Sequence, residues 1–252
     1  MNLSAPVSAT ELGLLSAEQT TKQIFRGRQV VRQGHWRFAQ GEHALYKAVF
    51  EQISDDPEAL QRIASITTTL AVKAIRQNGS PPPDLVAGVP NGANCIAESA
   101  QPLLQEQFGH PVRQVFTAKL KDSVPVEFLV TDAEEQIGDL ASFGRSKLYL
   151  GIFEDITTTW QSARRSGAAI VEAARQQDIE VVPLLYACVA ERQGTPLHLP
   201  SDPMKLKVLD LFVDQWPQAD CTIPGPITPS NERGEPAPAD VVEQILNGWP
   251  ES

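Results

Sequence analysis

The run Lys147-Leu-Tyr-Leu-Gly-Ile-Phe153, followed directly by Glu154-Asp155-Ile-Thr-Thr-Thr159, constrains this chain more than any other segment. An unbroken apolar run of this length suits a strand covered on both faces, the usual state of a central strand in a parallel sheet. Two adjacent carboxylates end it, and a hydroxyl-rich turn follows. Thr159 to about Gln177 then reads as a helix with Ala163, Gly167, Ile170 and Ala174 on its buried face. A strand that ends in acids and passes straight into a helix puts polar chemistry at the carboxyl edge of a sheet, where open α/β sheets take their ligands.

The surrounding sequence repeats that grammar. Asp84 to Gly88 reads as a short buried strand, Asn94 to Phe108 as a helix, Pro111 to Ala118 as a strand and Ile179 to Val189 as another. Asp56-Pro57 opens a helix, with proline where its missing N–H costs little. Leu60, Ile63, Thr67, Leu70 and Ala74 mark its buried face, and Asn78-Gly79 ends it. Strands alternating with helices predict an α/β fold with a mainly parallel sheet flanked by helices. Residues 1–55 read as mostly helical, with a weak capping box at Ser16-Ala-Glu-Gln. Residues 56–200 read as the core, and 201–252 as a Pro-rich extension with short helices near Met204–Phe212 and Ala239–Leu246. No element is required between Lys119 and Ser146. A connection this long suits a functional loop or one arm of a protruding hairpin over Val124–Thr131.

Composition excludes some functions. The net charge is -10 over 252 residues. Nucleic-acid binding rests on clustered Lys and Arg, so no nucleic-acid partner is expected. No run of apolar residues is long enough to span a bilayer, and the first residues lack a basic n-region, so neither a membrane partner nor a secretory signal is expected. Cys95, Cys188 and Cys221 are odd in number and far apart. This argues against a disulfide framework and against a zinc site built of ligand pairs, and suits a cytoplasmic protein. Cys95 and Cys188 read as small core residues. His35, His43, His110 and His198 show no ligand spacing.

A helix N-terminus presents free N–H groups and a partial positive charge, so the start of the helix after Thr159 is a ready anion site. Hydroxyls of Thr158, Thr159 and Ser162 can add donors there. Glu154 and Asp155 repel a phosphate, but they can hold ribose hydroxyls or a metal that bridges to a diphosphate. On the residues alone an equal alternative stands: Thr159 caps a helix and the acids are a solvated strand end.

The segment Tyr149 to Ser162 resembles the 5-phosphoribosyl 1-diphosphate (PRPP) signature of type I phosphoribosyltransferases: apolar residues, two acids, two further residues, a Thr pair, two glycines and a small hydroxyl residue. It departs at the two glycines, which are Trp160 and Gln161 here. Other stretches resemble the orotate phosphoribosyltransferase branch in order. They are Gly34 to Tyr46, the base-covering region; Asp84 to Ala93, the diphosphate loop; Val115 to Asp122, the start of a mobile catalytic loop; Ala190-Glu-Arg-Gln-Gly194, a base-reading strand end; and Trp216 to Cys221, a tail. The mobile loop also departs, with Ala118 for an expected Arg and Ser123-Val124 where His-Gly falls.

The resemblance implies a type I phosphoribosyltransferase fold with an N-terminal hood (1–55), a core (56–200) and an extension (201–252). It implies transfer of ribose 5-phosphate from PRPP to a pyrimidine base, orotate first, with Mg²⁺ as cofactor and a homodimer as the assembly. Asp155, Lys119 and Lys121 would be catalytic. Glu154, Asp155, Thr158, Thr159, Ser162, Asn91 and Gly92 would bind PRPP, and Glu154 and Asp155 the metal. Arg192, Phe38 and Trp36 would face the base. The departures at Trp160, Gln161 and the loop keep two alternatives open: a weakened relative that binds a nucleotide or PRPP as a sensor, and a partner-binding protein on an inherited fold.

Overall fold

The computed structural model describes residues 6–38, 41–90, 92–120, 127–138, 144–145, 147–192, 203–229 and 232–248. In chain order the strands are β1 (Val7–Ser8), β2 (Val31–Arg37), β3 (His43–Ala48), β4 (Leu85–Gly88), β5 (Arg113–Gln114), β6 (Thr117–Lys119), β7 (Phe128–Val130), β8 (Lys147–Thr157), β9 (Glu180–Arg192), β10 (Met204–Leu211) and β11 (Glu235–Pro236). The helices are α1 (Leu15–Gly27), α2 (Glu51–Ser54), α3 (Pro57–Asn78), α4 (Asn94–Phe108), α5 (Ala133–Gly138), α6 (Gln161–Arg175) and α7 (Ala239–Asn247).

The main sheet runs β1-β10-β9-β8-β4-β5, and every neighbouring pair is parallel. This is the α/β class that the alternation predicts. β4 leads through α4 to β5 on one side, while β8 leads through α6 to β9 on the other. Right-handed crossovers in opposite directions put the two helices on opposite faces of the sheet. α4 packs with α3 against the sheet, and α6 packs on β8, β9 and the antiparallel β6–β7 ribbon.

Local chemistry explains the elements the sequence foretells. The Asp56 side chain caps α3 by accepting from the amides of Glu58 and Ala59 at 3.0 and 3.1 Å, and Gly79 ends the helix at φ +62°. Ile63, Thr67, Leu70 and Ala74 are buried, as are Ala163, Gly167, Ile170 and Ala174 of α6. Cys188 lies in the core on β9, while Cys95 is half-buried against it.

Four expectations fail. Residues 31–48 form the β2–β3 hairpin rather than helix, with a register shift between Gln33 and Trp36 that hides the alternation. β11 extends this small sheet. Met204–Leu211 is a strand, not a helix: Met-Lys-Leu-Lys alternates with period two, the signature of a pleat. α1 starts one residue before the expected box and carries no side-chain cap; Glu18 instead accepts from Thr10 at 2.5 Å. The run Pro111 to Ala118 divides into β5 and β6, which belong to different sheets. The two chain ends therefore contribute to the main sheet through β1 and β10. Of the expected arm Val124–Thr131, Phe128–Val130 pairs with β6, and residues up to 126 lie outside those described.

Candidate functional site

β8 is longer than the apolar run. It continues through the acid pair to Thr157, held on one side only. Gly88 pairs with Phe153 and Val89 N donates to Phe153 O at 2.8 Å, after which β4 leaves the sheet. On the other side Glu154 still pairs with Cys188 and Thr157 with Glu191. Glu154 and Asp155 thus occupy the point where the crossovers diverge and the sheet opens into a crevice, the place where α/β folds bind ligands.

The turn after β4 closes on this point. A Cβ at Gly92 would lie 2.1 Å from Asp155 Oδ2, so only glycine lets the turn approach the carboxylate this closely. A Cβ at Gly88 would strike Ala93 O at 2.2 Å, which fixes the start of the same turn. Asn91 lies outside the described residues.

Burial sets the state of the acids. Glu154 is 5% exposed, and its Oε2 is buried with no hydrogen-bond partner among the described residues. Desolvation, then repulsion from Asp155, pushes its carboxyl up to about 8 against a hydrogen bond from Thr157 and the nearby charges of Lys119 and Arg164. The Asp155 carboxyl is also raised, chiefly by desolvation and with Glu51 opposing its charge, while backbone amides and Lys119 pull it down. Lys119 is exposed on β6 with its Nζ 6.0 Å from the Phe128 ring centre, and its charge lowers both carboxyls. Lys121 lies outside the described residues.

The start of α6 answers the question raised by Trp160. This residue sits at the N-cap in the left-handed region, φ +61° and ψ 11°, a conformation that favours glycine. Its indole is fully buried and donates to Glu191 Oε1 at 2.8 Å, and its amide donates to Thr157 Oγ1 at 3.0 Å. Glu191 in turn pairs with Lys207, which also holds Asp210. The ring is thus bound into the sheet. No side chain caps α6, so the amides of its first turn keep the anion-binding character of a helix N-terminus. Thr158, Thr159 and Ser162 are half-buried around it. Thr159 is not a side-chain cap of this helix; its carbonyl accepts from Arg164 at 2.8 Å.

Arg192 ends β9. Its guanidinium lies 3.5 Å from the Phe38 ring centre and donates to Thr158 Oγ1. Burial brings it down to about 10, and its Nε is buried without a partner among the described residues. A cavity of about 160 Å³ joins Asp155 and Ile156 to Arg192, Lys47, Glu51 and Leu211. Trp36 stands apart: it is 2% exposed, donates to Arg32 O, and packs against Gly34 and Gly234.

The structure therefore brings Glu154, Asp155, Gly92, Lys119, Thr158, Arg192 and Phe38 around one strand end. Sequence reasoning missed Glu51, Lys47 and the Thr157 and Glu191 partners of Trp160. A charge supplied by an element distant in the chain carries no local signal, although Thr157, inside the hydroxyl turn, was open to inspection. It also missed the approach of His35, His43 and Cys221, whose ligand atoms all lie within 4.8 Å of one another. No helix among the described residues is long and apolar enough to cross a membrane.

The fold is an open parallel α/β sheet that carries a buried Glu154, a half-buried Asp155 and an uncapped helix start at its switch point. No protein-family model matches the sequence, and no curated protein matches it. Solved structures to which the chain is similar include phosphoribosyltransferases. Mycobacterium tuberculosis H37Rv orotate phosphoribosyltransferase is 15% identical, with 77% of this chain and 97% of that chain covered and a TM-score of 0.49. An adenine phosphoribosyltransferase is 16% identical, with 77% and 99% covered and a TM-score of 0.48. The orotate phosphoribosyltransferase from Aeropyrum pernix is 13% identical, with 68% and 81% covered and a TM-score of 0.44.

Proposed function

We propose that this protein is a phosphoribosyltransferase that moves ribose 5-phosphate from PRPP to the ring nitrogen of a base, releasing pyrophosphate. Orotate is the base we favour, on the resemblance of the sequence segments described above. The observation that carries the reading is the acid pair Glu154-Asp155 at the open end of β8, between the Gly92 turn and the uncapped start of α6.

Each group has a task in that reaction. The amides at the start of α6, with Thr158, Thr159 and Ser162, take the 5′-phosphate. Asp155 and Glu154 take the ribose hydroxyls: the orphaned Glu154 Oε2 lacks a donor that a hydroxyl supplies. Gly92 takes the diphosphate side, a role the resemblance also gives to Asn91. Lys119, with Lys121, balances charge that builds on the leaving diphosphate as the glycosidic bond lengthens. Arg192, held by Phe38, meets the base carboxylate or carbonyl, and Trp36 supports the hairpin that covers it. The two adjacent carboxyls, one with an unpartnered oxygen, also fit a hard cation with oxygen ligands. Bound there, Mg²⁺ supplies the charge neutralisation that an acidic chain with few loop cations lacks. The proposal includes a homodimer, as the resemblance implies, in the cytoplasm, as the scattered cysteines suggest.

A second reading rests on Trp160. A bulky residue at a left-handed helix start, where the resemblance expects glycine, suits a protein that binds PRPP or a nucleotide and turns it over slowly. One titration separates the readings. PRPP with Mg²⁺ is added, and pyrophosphate release is followed with orotate, uracil, hypoxanthine and adenine. Turnover with orotate that is lost in Asp155→Asn supports the transferase. Saturable binding without turnover supports the sensor, and the absence of binding overturns both.

A further inference from the structure

We propose that His35, His43 and Cys221 form a metal site for a borderline divalent transition ion, zinc being the reference case. The site joins the β2–β3 hairpin to the segment after β10 and is built from different residues than the strand-end crevice.

Geometry is the first ground. His35 Nε2 lies 2.8 Å from His43 Nδ1 and 3.4 Å from Cys221 Sγ. In a tetrahedral zinc site with the usual bond lengths, two nitrogens stand about 3.3 Å apart and nitrogen and sulfur about 3.5 Å. A displacement of about half an ångström in one imidazole opens the nitrogen–nitrogen edge to that size, and the third edge lies within 4.8 Å. The two rings, 4.9 Å apart and tilted by 59°, leave room for it.

Tautomer chemistry is the second ground. His35 Nδ1 lies 2.9 Å from Gly225 O, which can only accept, so that nitrogen carries the hydrogen and Nε2 presents a lone pair to the cluster. A backbone carbonyl that orients an imidazole in this way is the usual outer partner of a metal-bound histidine. The Nδ1 of His43 and the thiol of Cys221 both converge on that one lone pair, which accommodates a single strong donor. A shared cation satisfies all three. His43 is 4% exposed and its Nε2 has no partner among the described residues, so without a metal its hydrogen sits on Nδ1 and bonds His35 Nε2; nothing at Nε2 opposes moving that hydrogen there when a metal takes Nδ1.

The donor set selects the metal class. Two imidazole nitrogens and one thiolate suit zinc or its borderline neighbours, not Mg²⁺ or Ca²⁺, which require oxygen. Three protein ligands leave a fourth position for water, and His35 and Cys221 are only partly buried.

The backbone supports a staple role. His43 and Trp216 exchange both amide bonds, at 2.8 and 2.9 Å, and the Thr228 side chain accepts from His35 N at 2.9 Å. The extension is therefore already laid along the hairpin, and a metal would lock it there.

The test uses the purified full chain, stripped with chelator and reloaded with cobalt(II), then with zinc in competition. Binding of one cobalt per chain with a thiolate-to-metal charge-transfer band is expected. Cys221→Ser should abolish that band, and His35→Gln should weaken zinc binding by about 100-fold or more, somewhat beyond the loss typical of outer partners. Cys95→Ser and Cys188→Ser should leave both unchanged. Circular dichroism verifies that each variant is folded, and the band in Cys221→Ser decides the matter without relying on either histidine. Zinc, unlike Mg²⁺, should raise the midpoint of thermal unfolding of the native chain and not of Cys221→Ser. No band in the native chain, or a band that survives Cys221→Ser, overturns the proposal.

Discussion

Replacing Glu154 with Gln tests the buried acid pair most directly. In the unfolded chain this carboxyl titrates near 4.5, and in the folded protein burial beside Asp155 pushes it up to about 8. Below the lower value the group is neutral in both states and costs nothing. As pH rises between the two, the unfolded chain ionises and the folded protein does not, so stability falls; above about 8 the loss levels off. At about 1.36 kcal/mol per pH unit, the whole interval is worth up to about 5 kcal/mol, of which about 2.5 kcal/mol is lost between pH 5 and pH 7. Glutamine has the same shape, is neutral at every pH and leaves the Thr157 hydroxyl a partner, so it removes this loss. Asp155, raised in the same direction, remains and titrates in both proteins. Urea unfolding at pH 5 and pH 7 should therefore show the native protein losing about 1–3 kcal/mol more than Glu154→Gln, allowing for relaxation around a buried charge. Equal losses in the two proteins would refute the idea that burial holds Glu154 neutral.

Three further outcomes follow from the same site. Gly92→Ala would bring a methyl group to 2.1 Å from Asp155 Oδ2. It should raise the KM for PRPP, measured by pyrophosphate release, and cost about 1–3 kcal/mol in thermal unfolding. Arg192→Ala removes the contact with Phe38 and the bond to Thr158. It should raise the KM for the base by about tenfold or more while PRPP binding stays within about threefold, a split that a purely structural role does not produce. Trp160→Gly relieves a left-handed side chain worth about 1–2 kcal/mol. It also empties a fully buried indole site and takes the indole donor away from Glu191 Oε1, at about 3–5 kcal/mol. The lost packing outweighs the relieved strain, so chemical denaturation should show a net loss of about 1–4 kcal/mol despite the restored glycine.

The helices and strands legible in the sequence are those whose signal is local. Asp56-Pro57 and Gly79 bracket α3 because capping and φ preferences act within a turn. The bounds of α4 follow from apolar periodicity up to Gly109 at φ +69°. The hairpin was opaque because its register shifts at a bulge, and β10 because Leu206 with Leu209 and Val208 with Leu211 also fall at the three-residue spacing of a helix.

By itself the sequence determined the alternating α/β class, the central strand and the place of the acid pair at its end. These depend on burial of a continuous apolar run and on the polarity of the residues that stop it. Only the tertiary structure decided how deep the acids lie. Pairing with β9 carries β8 on through Glu154 and Asp155 after β4 has left, and the result is a Glu154 carboxyl buried away from water beside a half-buried Asp155. It also turned Trp160 into the core toward Glu191 and brought Cys221 to His35 across the chain. Long-range strand pairing sets both contacts, and no local spacing in a sequence encodes that.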